Sequence, residues 1–305
     1  MSESPLPSLT AARVVIVAGK GGVGKTTVTA VLARAAVTDG RRVLVVELDG
    51  KPTLADWFAD VDADLPDGAR LDVIHLSAAD ALDEYLREHG FQRIAKRLSS
   101  TGVIDMVGTA APGIDDVVVL GKIKQLERAG DHDLIIVDGP AAGHAITFLT
   151  SASGLADAVR GGPVKRQSDD VLELLADGDR AMVVLVTLPE TTPVNETVET
   201  AFSLEDDVGV RLGPVVVNAV DAAGDLPAAD EVDEALAAVE SGEAASLRAA
   251  WEFRRSRRAM EVEALDRLGE RLPLAQVHLP ALPVAGLSAS DIDVLASQLT
   301  EDGST

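Results

Sequence analysis

Gly19-Lys20-Gly21-Gly22-Val23-Gly24-Lys25-Thr26-Thr27 is the stretch that decides how this sequence folds. Before it lies Arg13-Val-Val-Ile-Val-Ala18, a short β-branched run ended by glycines, which reads as a buried strand. After it, Thr26 to Val37 reads as a helix closed by Asp39-Gly40. A glycine-rich turn from strand to helix lets successive backbone N–H groups point inward, and the helix N-terminus adds a favourable dipole for an anion. The nine residues from Gly19 to Thr27 are therefore candidate phosphate binders. Lys25 is placed to meet phosphate oxygens, and the Thr26 hydroxyl to ligate Mg²⁺.

Working outward, Arg42-Val-Leu-Val-Val-Glu-Leu48 is a second strand. Further strands are expected at Leu71 to Leu76, Asp133 to Val137, Ala181 to Leu188, Gly213 to Val220 and Ala275 to Leu279. Helical patterns lie between them, and strands alternating with helices imply an α/β fold. The expected architecture is a doubly wound, mostly parallel sheet with helices on both faces and a small helical subdomain. Ser77 to Leu126 and Ser153 to Asp177 are mostly helical by pattern, and Ser241 to Arg271 reads as one long helix rich in Arg and Glu. The organisation predicted is a flexible leader over residues 1–12, one domain over 13–300 with helical insertions at about 77–128 and 153–178, and an acidic tail over 301–305. Asp225 to Asp233 is expected to be an exposed acidic connection.

Composition narrows the function. Hydrophobic residues make up 47% of the 305-residue chain but aromatics only 3%, so the core is built from Ala, Val, Leu and Ile, as in a covered parallel sheet. A net charge of -23 repels nucleic-acid phosphates and anionic lipid, which disfavours nonspecific binding to either, and no nucleic-acid partner is expected. With no Cys there are no disulfides and no thiolate zinc site. Met1 to Ala12 has no basic or apolar signal region, and no apolar run reaches membrane-spanning length, so a cytoplasmic location is expected.

Lys20 makes the loop more specific, because the plain phosphate-loop pattern leaves that position free. The run with two lysines resembles the deviant Walker A, or signature-lysine, ATPases, among them the arsenite-pump ATPases, the tail-anchored-protein targeting ATPase, MinD, ParA and nitrogenase iron protein. The resemblance implies ATP and Mg²⁺ as cofactors and a dimer, homomeric or of paralogues, with nucleotide at its interface. It also implies that Lys20 reaches the partner's nucleotide. Four segments point to the arsenite-pump and tail-anchor branch. Glu47-Leu-Asp49-Gly-Lys-Pro-Thr-Leu54-Ala-Asp56-Trp-Phe58 resembles its switch I, so Asp49 is the candidate for positioning the attacking water, although Gly50, Lys51 and Pro52 depart from the pattern. Leu134-Ile-Ile-Val-Asp138-Gly-Pro-Ala-Ala-Gly143-His144 resembles its strand end and switch II, so Asp138 is the candidate for holding Mg²⁺ through water. Val186-Thr-Leu-Pro189-Glu190-Thr-Thr-Pro193-Val-Asn-Glu196-Thr197 is similar to a third family segment, and Ala111 to Asp116 to a fourth. By resemblance Asn218 and Pro283 lie on the adenine side, and an amide such as Asn218 has the donor and acceptor chemistry to read adenine.

The departures matter as much. Without cysteines, thiolate binding of arsenite is excluded, and so is a zinc-clamped dimer. Only four Met are present, so a Met-rich groove for a transmembrane client is not evident, and a protein client or membrane-protein partner rests on resemblance alone. Arg254-Arg255-Ser-Arg257-Arg258 reads as a solvated or subunit-contacting face, with a phosphate or acidic-partner patch as the alternative. The expectation is an ATP-hydrolysing dimeric switch. The alternatives are a MinD- or ParA-like positioning ATPase and a weakly active subunit of a paralogous pair.

Overall fold

In the computed structural model, which describes residues 4–48, 54–58, 65–88, 90, 113–221 and 226–300, the glycine-ended run forms the central strand β1 (Val14–Gly19), buried along its whole length. The other strands are β2 (Arg42–Leu48), β3 (Arg70–Leu76), β4 (Leu134–Ala141), β5 (Ala181–Thr187), the two-residue β6 (Arg211–Leu212), β7 (Val215–Val220) and β8 (Gln276–Pro280). They form one sheet in the order β3-β2-β4-β1-β5-β7-β8, with β6 beside β5, and every pairing is parallel. All the strands therefore end along one edge.

Alternation along the strands sorts side chains onto two faces. Val15, Val17, Val43, Val45, Ile136 and Val184 bury against α2 (Lys25–Thr38) and the C-terminal α11 (Ala289–Thr300). Ile16, Leu44, Val46, Ile135, Val137 and Leu185 bury on the opposite face. That face is covered by α4 (Ala78–Glu88), α5 (Ile114–Ala129), α6 (Ala142–Ala158), α7 (Pro163–Ala176), α8 (Thr191–Ser203) and the end of α10 (Ser241–Arg271). Helices α4 to α7 touch one another and share one hydrophobic cluster with the sheet. Among the described residues they cover this face of the sheet.

The crevice arises from connectivity. β1 and β4 are neighbours, but the helices that follow them, α2 and α6, leave toward opposite faces. Ligands of doubly wound sheets bind at such points, outside the strand ends. Gly139 lets the two strands converge there, since a Cβ on it would lie 2.4 Å from the Val17 carbonyl oxygen. The β1–β4 register slips between Val17 and Gly19, and β4 runs on to Ala141, four residues past the end the pattern predicts.

Two expectations need correction. The leader is not flexible throughout: residues 6–9 form the short helix α1, whose Leu6 and Leu9 are buried against the α2 face. The acidic connection holds the helix α9 (Ala229–Leu236). Its Asp230 and Glu231 suit a helix N-terminus, and the Ala228 N–H donates to the Glu231 carboxylate at 3.0 Å. Residues 222–225 and the tail 301–305 lie outside the described residues. Helix α10 buries only Glu261, Ala264 and Leu268. Its arginines pair within the chain: Arg254 grips Asp221 with two bonds of 3.0 and 2.9 Å, Arg257 donates to Glu261 at 3.4 Å, and Arg255 stacks over Trp251. Among the described residues, no helix is long and apolar enough to cross a membrane.

Candidate functional site

The loop from Gly19 to Gly24 caps the end of β1 and delivers the chain into α2 with Gly24 as N-cap. Gly22 and Gly24 have φ of +87° and +91°, a left-handed backbone that disfavours any residue with a Cβ. At Gly24 space adds a second constraint, because a Cβ there would lie 2.2 Å from the Asn218 amide nitrogen. That nitrogen donates to the Val23 carbonyl oxygen at 2.9 Å, so the end of β7 braces the loop. A register shift between Val217 and Val220, with Ala219 at φ +58°, turns Asn218 toward the loop instead of leaving it in the ladder.

Lys25 opens α2, and burial lowers its pKa from the usual lysine range, partly offset by the charge of Asp138. Its ammonium donates to the Lys20 carbonyl oxygen at 3.3 Å, lying across the loop where phosphate oxygens are expected. Asp138 comes from β4 and sits beside the start of α2. Its carboxylate accepts from the Thr26 hydroxyl at 2.8 Å and from the Thr29 hydroxyl at 3.3 Å. Burial raises the pKa of Asp138 above the ordinary carboxylate value, while the two hydroxyls and Lys25 oppose that shift. A carboxylate and a threonine hydroxyl in contact at the head of a phosphate loop form the hard-oxygen donor set that suits Mg²⁺. The residues present thus fit both a phosphate chain and its metal.

A cavity of about 710 Å³ opens beside this cluster. Lys25, Thr26, Glu47, His75, Asp138 and His144 are among the residues that line it. His144, near the start of α6, is exposed toward this space.

Lys20 points elsewhere. Its ammonium pairs with the Glu196 carboxylate of α8 at 2.6 Å, both side chains being 39% exposed. Pro283 is exposed in the segment after β8. Asp49 and residues 50–53, as well as residues 91–112, lie outside the described residues. The structure therefore gathers Lys25, Thr26, Asp138, Asn218 and the glycines, and turns Lys20 toward Glu196.

Three residues near this centre received no role from sequence alone. Thr29 carried a signal, since it lies three positions after Thr26 and so on the same helical face. Glu47 also carried one, as a charge within a strand otherwise apolar from Val43 to Leu48. Glu196 gave no local sign of its contact with Lys20, from which 176 positions separate it.

The chain is similar to known ATPases. Residues 12–161 match the model of the ArsA-type, anion-transporting ATPase family. The chain is 35% identical over 226 residues to the ATPase BagA of Mycobacterium tuberculosis strain H37Rv, a match covering 69% of this chain and 66% of that protein. It is 24% identical over 260 residues to the ATPase GET3C of Arabidopsis thaliana, covering 67% of this chain and 66% of that protein. The chain thus spans just under two thirds of the length of these relatives.

Proposed function

We propose that the chain is a member of the ArsA-type family of anion-transporting ATPases, whose model it matches over residues 12–161, and that it binds Mg-ATP, hydrolyses it, and works as a dimeric switch coupled to a protein or membrane partner. The contact of Thr26 with Asp138 at 2.8 Å, beside Lys25 on a left-handed glycine loop, carries this reading. Each part has a defined task. The loop N–H groups and Lys25 hold and neutralise the phosphates. Thr26 and Asp138 would hold Mg²⁺, Asp138 through water, and the ion would supply charge neutralisation for the phosphates. Asp49 orients the attacking water, a role that follows from the switch I resemblance. Phosphoryl transfer needs little beyond such positioning and charge stabilisation.

Lys20 serves the partner protomer's nucleotide in this reading, with Glu196 as its resting partner within one chain. An exposed pair of this kind contributes at most about 1 kcal/mol, so it yields readily to a buried phosphate contact. Asn218 and Pro283 belong to the adenine side, Asn218 keeping its brace on Val23. The absence of cysteine removes thiolate chemistry from whatever this chain handles.

The test is the mass of the purified protein in solution with Mg-ATP, with Mg-ADP and without nucleotide, run beside phosphate release. ATP-dependent dimerisation with hydrolysis is the expected result. A chain that stays monomeric and releases no phosphate, alone or with co-purifying subunits, would overturn the reading.

A further inference from the structure

We infer that Trp57 is a positioning residue for nucleobase recognition: its indole N–H holds the segment 281–288 against the short helix α3 (Leu54–Trp57). Through that bond the base end of a bound nucleotide is linked to the helix that closes the stretch resembling switch I. The inference rests on the preceding reading, in which Pro283 belongs to the adenine side.

The placement comes from the two ends of the segment. At its start, the Ala281 N–H donates to the carbonyl oxygen of Val220, the last residue of β7, at 2.8 Å. The same strand carries Asn218, whose amide braces the phosphate loop at Val23. At its far end, the Trp57 indole N–H donates to the Leu287 carbonyl oxygen at 3.2 Å, across 230 positions of sequence. The next residue, Ser288, donates its N–H to the Asp291 carboxylate of α11 at 2.8 Å. Between these ties Pro283, Val284, Ala285 and Gly286 are exposed. Leu282 and Leu287 pack, partly buried, against the cluster on the α2 face, as do Trp57 and Phe58. A surface segment with so little burial is held by few contacts, so each one weighs on its position.

Helix α3 has four residues, too few to be stable by itself. Its position comes from Leu54, fully buried in the α2-face cluster, and from contacts with α2 and α11. An indole N–H is a donor with no acceptor capacity, and a partly buried one needs a partner. Here the partner is a main-chain oxygen, so the bond depends on where the segment lies and not on the side chain at position 287. Coupling of this kind is reciprocal. What the bond contributes to holding the segment for a base, a bound base returns by fixing the segment against α3. Phosphates alone, which meet the loop from Gly19 to Thr27, leave that contact as it is.

The test compares ADP, which has a base, with inorganic pyrophosphate, which has none, each titrated with Mg²⁺ by calorimetry. Trp57→Phe keeps an aromatic ring and removes the donor. It is expected to weaken ADP binding by about two- to tenfold, the range of one hydrogen bond, and to leave pyrophosphate binding at the wild-type value. A second measurement leaves position 57 unchanged. The chain has two tryptophans, so Trp251→Phe makes Trp57 the sole emitter. ADP should shift that emission, and saturating pyrophosphate should not. Unchanged ADP affinity in Trp57→Phe, or an equal loss for both ligands, would overturn the inference alone. So would emission that stays unmoved at ADP concentrations where calorimetry shows it bound. Wild-type protein that takes up neither ligand would overturn the parent reading, and this inference with it.

Discussion

Replacing Gly24 by alanine probes how the phosphate loop is held. Gly24 has φ +91° and ψ +32°, a left-handed conformation that costs an L-residue about 1–2 kcal/mol. The added Cβ would also lie 2.2 Å from the Asn218 amide nitrogen, so that side chain must move and give up its 2.9 Å bond to Val23. Such a bond is worth about 0.5–1.5 kcal/mol. Gly24→Ala should therefore destabilise the protein by about 2–3 kcal/mol, measured by urea unfolding. Asn218→Ala alone should cost about 1 kcal/mol. In that background the steric part disappears, and Gly24→Ala should cost only the backbone share, about 1–2 kcal/mol. The cycle should thus show a coupling of about 1 kcal/mol. A cost for Gly24→Ala that is the same in both backgrounds would refute the reasoning, because Asn218 would then not fill the space the glycine leaves.

Three further outcomes are expected. Lys20→Ala should lose less than about 1 kcal/mol of stability, since only an exposed pair with Glu196 is removed, yet nearly abolish turnover. Normal phosphate release in that variant would remove Lys20 from the chemistry. Leu9→Ala should cost about 2–5 kcal/mol in urea unfolding, because Leu9 is fully buried in the core where the sequence suggests a free leader. A neutral effect would restore that picture. The bonds from Arg42 lower the pKa of Asp133 from 3.8 to about 2. Its folded pKa is depressed, so its contribution is fully present above about pH 4 and is lost as pH falls through about 2. Discounted for solvent screening, this is worth about 1 kcal/mol, so Asp133→Asn should be less stable by that amount at pH 7 and match the wild type near pH 2. A stability difference that persists unchanged to pH 2 would rule out the charge as its cause.

Much of the fold was legible because its signals are local. The strand from Arg42 to Leu48 and the helix from Ser241 to Arg271 stand where the pattern puts them. Each is a run whose periodicity and ends are written in its own residues. The misreadings have local causes too. Leu6 and Leu9 sit in a stretch rich in Ser and Pro, so their burial depends on α2 being there to receive them. Asp230 and Glu231 read as a solvated run, and the same charges stabilise the first turn of α9. The end of β4 was set by Gly139 admitting Val17, a contact that composition does not reveal.

The glycine loop from strand to helix was legible in its own nine residues, because its backbone geometry depends mostly on their glycines and on the strand and helix beside them. The same residues place Lys25 and Thr26 at the start of α2. What surrounds that loop depends on contacts between distant parts of the chain. Strand order inserts β4 between β2 and β1, which brings Asp138 to Thr26 across 112 positions and sets Glu47 beside it. A bulge in β7 sends Asn218 back to Val23, and the packing of α8 gives Lys20 its partner in Glu196. These contacts follow from which strands lie next to each other and how helices cover them. That arrangement is settled by burial summed over the whole sheet, and no window of neighbouring residues carries it.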